Sequence, residues 1–198
     1  DADSTSSIIH SHGVNSSNIS TLEVNINQVI DNTVTISDAD NPTIAGAVVK
    51  ILDGYDASGD VLGFTAQNGI TVQSNTGGVL TLTGSATVAE YQQALRSVTY
   101  RSTSEDPTVG VSKLTRKIEW QVTEENNDAL TPATASGIYS YIDITANNDT
   151  PVANNDTGSV REDLTLTVTA ANGVIKGGAP TGVVSVADSD PDSGDIAG

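Results

Sequence analysis

The chain has 198 residues, no cysteine, and eight Lys and Arg against 25 Asp and Glu, for a formal net charge of −17. That length accommodates one large or two small domains with a buried core. The missing cysteines exclude a disulfide framework, the acidity excludes nucleic-acid phosphate as the default partner, and no apolar run reaches the roughly 18 residues a membrane helix needs. Thr, Val, Ser, Asn, Asp and Gly dominate, with one Trp, one Phe and no Met. That is the diet of β-strands broken by tight turns. The opening Asp1-Ala2-Asp3-Ser4 carries no basic-then-apolar leader and reads as the interior of a longer polypeptide.

In chain order, residues 1–24 are weakly patterned; they read as the end of a preceding module or as a strand completing another. Short alternating runs then recur at roughly ten-residue spacing, a sandwich signature. Strands are predicted over Thr33–Ser37, Ala47–Leu52, Val61–Thr65, Ile70–Gln73, Val79–Thr83, Ser97–Arg101, Lys117–Thr123 and Ile138–Thr145. Asp53-Gly54, Asn68-Gly69 and Gly77-Gly78 supply turn chemistry between them. One segment breaks the period: Thr87 with Glu90 three residues later is a capping box, and Val88, Tyr91 and Leu95 fall on one helical face. A helix of about two turns therefore crosses one end of the sandwich. The polar, proline-bearing run over 146–152 marks a boundary. Beyond it, Leu164–Thr169 and Val183–Val186 restart the strand pattern in a stretch too short for a sandwich of its own. The predicted architecture is all-β: a Greek-key β-sandwich over 25–150 with one short helix, and part of a second β module over 151–198.

The acids cluster. Asp38 and Asp40 follow one strand; Asp188, Asp190 and Asp192 follow another. Alternate residues of an extended strand point the same way, so carboxylates two apart can converge on one hard cation. Calcium accepts six to eight oxygens and tolerates irregular loops. Asp188, Asp190 and Asp192 also match the start of an EF-hand loop, but glycine stands at the seventh position and the given sequence stops short of the twelfth. Asn147, Asp149 and Glu162 flank the boundary, and Glu23 occupies the corresponding place before the first module; together they suit an inter-domain cation site. Asp53, Asp56 and Asp60 read instead as a polar hairpin loop.

Catalytic constellations are thin. His10 and His12 could bind zinc, but no cysteine or third histidine supports them. There is no Gly-x-Ser-x-Gly elbow, and Gly177-Gly178 lacks the Lys-Ser/Thr partner of a phosphate loop. Paired carboxylates for glycoside hydrolysis usually come with aromatic sugar platforms, whereas Trp120 alternates in phase with Ile118 and Val122 and reads as core. Lys50, Lys113 and Lys117 could enter an intramolecular Lys–Asn cross-link, with no partner assignable. No enzyme is expected.

From Glu23 to Val152, the stretches VTISDADNPTIAGAVVKI, LTLTGSATVAEYQQALRSVTY and IDITANNDTPVANND resemble the cadherin-like repeats of giant RTX-type adhesins of bacterial surfaces. VREDLTLTV and DSDPDSGD resemble the opening of a following repeat. The resemblance implies a calcium-rigidified extender module in a tandem array, secreted by a type I system to the bacterial cell surface and serving cell adhesion and biofilm formation. By matching, Glu23, Asp38, Asp40, Asn147, Asp149 and Glu162 look like Ca²⁺ ligands. Two positions depart from the pattern: Ala146-Asn147 stands where a linker acid precedes Asn-Asp, and Val122-Thr123-Glu124-Glu125 replaces Val-Thr-Asp-Gly. The implied partners are neighbouring repeats of the same polypeptide. The alternative is a calcium-dependent ligand-binding domain that holds a peptide or glycan of a target cell.

Overall fold

The structure, a computed structural model, describes residues 8–10, 16–20, 26–38, 41–104, 106–110, 112–125, 132, 134–145, 152–155, 157–158, 162–163 and 183–184. The chain divides into two compact units, Asp1–Asn147 and Asn148–Gly198.

The first unit is an all-β sandwich with one short helix. Its strands are β1 (Ile8–His10), β2 (Ser16–Ser20), β3 (Gln28–Val29), β4 (Thr35–Ser37), β5 (Thr43–Asp53), β6 (Asp60–Gly63), β7 (Thr71–Thr76), β8 (Val79–Thr87), β9 (Thr99–Ser102), β10 (Thr115–Glu124) and β11 (Thr134–Thr145). The large sheet runs β2-β11-β10-β5-β8-β7, a smaller one β3-β9-β6, and β1 pairs with β4. All pairings are antiparallel except β2 against β11, where Tyr141 lies opposite Ser16 and Thr145 opposite Ser20. In the second unit, β12 (Thr157–Gly158) pairs antiparallel with β13 (Val183–Val184). Each predicted strand of 25–150 coincides with an observed one, within a few residues at its ends. The predicted strand Leu164–Thr169 lies outside the described residues.

Period-two patterning decides which face goes inside. On β10, Arg116, Ile118, Trp120, Val122 and Glu124 are buried; on β8, Leu80 and Leu82; on β11, Ser140, Ile142 and Ile144. β5 contributes Ala47, Val49 and Ile51 in phase, but Ile44 comes three residues earlier because the register with β8 shifts between Ile44 and Gly46. From the opposite layer, Leu62 and Tyr100 complete the same core.

Two-residue turns close the tight connections. Asn68 (φ +51°) and Gly69 (φ +77°) both take positive φ, as does the pair Gly77 and Gly78. This is the requirement of the mirror-image turns that match strand twist. Gln67 and Ile70 exchange both backbone hydrogen bonds across the first of them. That turn packs on Gly84, whose φ is +128° and where an added Cβ would lie 2.3 Å from the Gly69 carbonyl oxygen.

Helix α1 (Val88–Arg96) crosses from the large sheet at β8 to the smaller one at β9. The Thr87 hydroxyl accepts from the Glu90 backbone N–H and the Glu90 carboxylate accepts from the Thr87 N–H, so the capping box is complete. Tyr91, Ala94 and Leu95 face the core. Side chains then pin the helix: the Ile36 N–H donates to Gln92 Oε1 (3.1 Å), Arg96 Nε donates to the Val34 carbonyl (2.7 Å), and the Tyr91 hydroxyl donates to the Gly84 carbonyl (2.7 Å).

Thr87→Ala removes a cap and should lower unfolding free energy by about 1 kcal/mol in a urea titration with unchanged slope. Gly84→Ala should cost more, because positive φ and a backbone clash coincide there. Equal midpoints for the Gly84 variant and wild type would mean that the turn tip does not rest on this residue.

Candidate functional site

Among the residues expected to grip calcium, Asp38 and Glu162 are described. Asp38 follows β4 and is half-buried, and its Oδ1 accepts from the Asn41 N–H at 3.0 Å, closing the loop into β5 around a buried Asn41. Glu162 belongs to the second unit and is exposed in a turn beside Asp163, which holds φ +67°. Glu23, Asp40, Asn147, Asp149, Asp188, Asp190 and Asp192 lie outside the described residues, as does His12. His10 sits in β1 opposite Thr35. Among the described residues, no three His, Cys, Asp or Glu side chains gather around a common point suited to a metal ion.

Instead, the structure assembles two buried polar networks across the sandwich. The first centres on Asp60 at the start of β6. Arg116 of β10 grips it with two donors, Nε to Oδ2 at 2.7 Å and an Nη to Oδ1 at 3.0 Å, and both side chains are fully buried. The Tyr100 hydroxyl of β9 donates to Asp60 Oδ1, and the Asp56 N–H to Oδ2 at 2.8 Å. Two further guanidinium donors reach the Lys113 and Pro107 carbonyls, both at 2.7 Å. Burying a charge is costly unless partners replace its water; here four hydrogen bonds from Arg116 do so. Burial opposes the charged form of Arg116, but the hydrogen bonds to Asp60, together with the neighbouring Tyr100 and the Asp60 charge, outweigh it and hold its pKa above the ordinary value. Burial, then the neighbouring Asp60 charge, pushes the Tyr100 hydroxyl well above a free tyrosine.

The acids between β5 and β6 thus work internally, and because those strands lie in different sheets the segment is a crossover and not the expected hairpin loop. Asp56 caps its own turn by accepting from the Ser58 N–H (3.0 Å) and hydroxyl, and Asp53 Oδ1 accepts from the Gly54 N–H. Sequence reading placed Asp53, Asp56 and Asp60 in a polar hairpin loop. It missed the partner Arg116, whose signal was its place in phase with Ile118 and Trp120.

The second network begins at Trp120, fully buried as its alternation predicts. Its indole N–H donates to Ser140 Oγ of β11 (2.9 Å), and that hydroxyl donates to Asp31 Oδ2 (2.8 Å) in the loop after β3. Asp31 Oδ1 accepts from the Thr33 N–H (2.8 Å) and hydroxyl (2.6 Å). Two of the three lysines considered for a cross-link have other contacts: Lys113 Nζ donates to the Tyr55 carbonyl, and Lys117 Nζ lies 3.8 Å from the Tyr139 ring centroid, a cation–π contact.

Over 78 residues the chain is 41% identical to halomucin of Haloquadratum walsbyi. That stretch is 36% of this chain and 1% of halomucin, which is therefore thousands of residues long. The chain thus spans only a small fraction of this relative. No protein-family model matches the chain, and no solved structure matches it. Among the described residues, no helix is long and apolar enough to cross a membrane.

Arg116→Met leaves the Asp60 carboxylate buried without its cation and should cost about 3–5 kcal/mol. Arg116→Met combined with Asp60→Leu should recover most of that loss. If the double variant is as unstable as the single one, the cost comes from packing and not from the orphaned charge. At alkaline pH the signs follow from the raised tyrosines. Burial, then Glu125, pushes Tyr91 up to about 12, and Tyr100 rises as well. A raised folded pKa gives stability that is full below the free tyrosine value of about 10 and is lost as pH climbs through the folded value. In a phenolate absorbance titration, Tyr91 and Tyr100 should still be largely neutral at about pH 11. Five equivalent tyrosines would contradict this.

Proposed function

We propose that the chain is a structural module of a very long extracellular or cell-surface protein, acting as an adhesin-type extender that Ca²⁺ stiffens and having no catalytic role. The observation that carries this reading is the charge: 25 acids against eight bases in a chain with no cysteine. Such a chain repels itself and has no covalent staple, so a divalent cation is the natural stabiliser. The 78-residue similarity to one hundredth of a protein thousands of residues long supports the modular part of the reading, as does the sandwich fold, an architecture common among cell-surface domains.

In this reading Asp38 and Asp40 bind within the first unit. Glu23, Asn147, Asp149 and Glu162 serve the hinges between consecutive modules, and Asp188, Asp190 and Asp192 serve the next module. Without cations the clustered carboxylates repel and the hinges bend. With cations the string becomes a rod whose partners are its neighbouring repeats, and cell adhesion or biofilm formation is the task such a rod performs.

Extracellular calcium modules bind with Kd of about 10⁻⁴–10⁻³ M. At ten times Kd each site adds about 1.4 kcal/mol, which for a chain of this size raises Tm by about 3–6 °C. Thermal melts in EDTA and in about 10 mM CaCl₂, roughly ten times the weaker Kd, should differ by at least that much, and the difference should shrink in Asp38→Asn and in Asp188→Asn. Identical transitions in the two buffers would leave the acids as a solubilising skin and end the calcium reading.

A further inference from the structure

We propose that the first unit is a mechanical clamp, in which β2 and β11 carry tension along the chain in shear and keep the module from being pulled open by its ends. The source of the tension rests on the extender reading above. The clamp itself follows from the topology.

The large sheet starts with β2, near the beginning of the unit, lying against β11, the unit's last strand. They pair over five residues, from Ser16 opposite Tyr141 to Ser20 opposite Thr145. They are parallel, unlike every other pair among the described residues. Direction decides how such a pair fails under load. The chain enters β2 at Ser16 and leaves β11 at Thr145, just before the unit ends at Asn147. Those two points lie at opposite ends of the paired stretch. Tension therefore draws the strands past each other along their own axes. The ladder bonds, evenly spaced in a parallel pair, share the load and must fail together. An antiparallel β2 would put both exits at one end, and the bonds would open one after another.

Shear reaches the ladder only if the strands are anchored. β11 is held by β10 along most of its length. Its Ile142 and Ile144 are buried, and Ser140, beside the start of the clamp, takes the Trp120 N–H and donates to Asp31. β2 is the end strand of its sheet, so β11 is its strand partner there. The three-residue pairing of β1 with β4 lies nearer the N-terminus. It meets the load first and, being short, yields before the clamp is tensioned.

Covering a sheet edge is the competing task for such a strand. A cover needs no particular direction, and parallel pairing is the slightly less stable one per residue. A clamp needs the parallel direction that is found.

The test is single-molecule force spectroscopy of the whole chain, held through introduced cysteines, since the chain has none of its own. In one geometry they are added at the two termini. In the other, one is added at the N-terminus and the second is Ser136→Cys, at an exposed position early in β11. That moves the load to the same end of the ladder as Ser16 and turns shear into peeling. Release of the residues between the two strands marks the event by a lengthening of about 400 Å, at about 3.3–3.6 Å per residue. The end-to-end geometry should need at least about twice the force of the peeling geometry, because several ladder bonds break together instead of singly. Forced unfolding reads the barrier and not the equilibrium stability, so Asn18→Pro and Ile19→Pro give a second readout. Adjacent residues turn their N–H groups to opposite sides of a strand, so one of the two prolines removes a donor facing β11 and should lower the end-to-end force more than the other. Equal forces in the two geometries, or an end-to-end force that neither proline lowers, overturns the clamp. Both geometries are run in calcium and in EDTA. The ladder joins backbone to backbone, so its direction dependence should persist in EDTA, and a dependence confined to calcium overturns it. Failure of the calcium melts leaves this outcome standing, and failure of the clamp leaves the melts standing.

Discussion

The sandwich depends on one charged contact that its hydrophobic core would otherwise forbid. Strand alternation turns Arg116 inward beside Ile118, Trp120 and Val122, and a lone guanidinium there would cost more than the neighbouring apolar side chains return. Asp60 removes that penalty from the opposite sheet. Because the pair joins β6 to β10, it also fixes how the two layers face each other. A one-residue slip of β10 would swing Arg116 and Trp120 outward and strand Asp60 in the interior. The ion pair therefore admits a single register. This is a role for a buried charge that does not require it to be a net source of stability.

The second network repeats the arrangement without a cationic partner. Trp120 lies four residues beyond Arg116, about 13 Å along the strand, and its N–H leads through Ser140 to Asp31. One strand thus carries two polar ties on its inner face, each running to a different part of the fold: Arg116 to the smaller sheet, and Trp120 through β11 to the loop that follows β3. The helix adds a third set, from Gln92 to β4 and from Tyr91 to the bulge at Gly84. With no disulfide available, these directional contacts specify the packing that alternation alone leaves loose.

Much of this was legible in the sequence. Alternation gave the strands from β4 to β11, Thr87 and Glu90 gave the helix start, and the phase of Trp120 with Ile118 placed it in the core. The strands that escaped were short or polar. IIH, SSNIS and QV have no period long enough to read, and they are held by pairing with partners distant in sequence, so their signal lies in β4, β11 and β9 and not in themselves. The Asp60–Arg116 pair escaped for a related reason. Its members are 56 residues apart, and nothing in either segment names the other. The calcium expectation stands differently. Most of its residues lie outside the described part of the chain, and Asp38, the one described in the first unit, contributes an oxygen to its own loop.

That division of labour among the acids constrains what a cation could do. Asp31, Asp56 and Asp60 are buried or nearly so, and each accepts hydrogen bonds from its immediate surroundings. They belong to the architecture and would gain little from a metal that had first to displace those donors. In the proposed calcium reading, the sequence runs near Asn147 and at Asp188–Asp195 have another task, because they place carboxylates and amides at alternate positions. On the proposed calcium reading, short-range repulsion among those carboxylates would fall when a divalent ion enters. A chain built this way separates the groups that make the module fold from those that would respond to the ionic environment. The stiffness of an array could then change with calcium while each sandwich keeps its internal register.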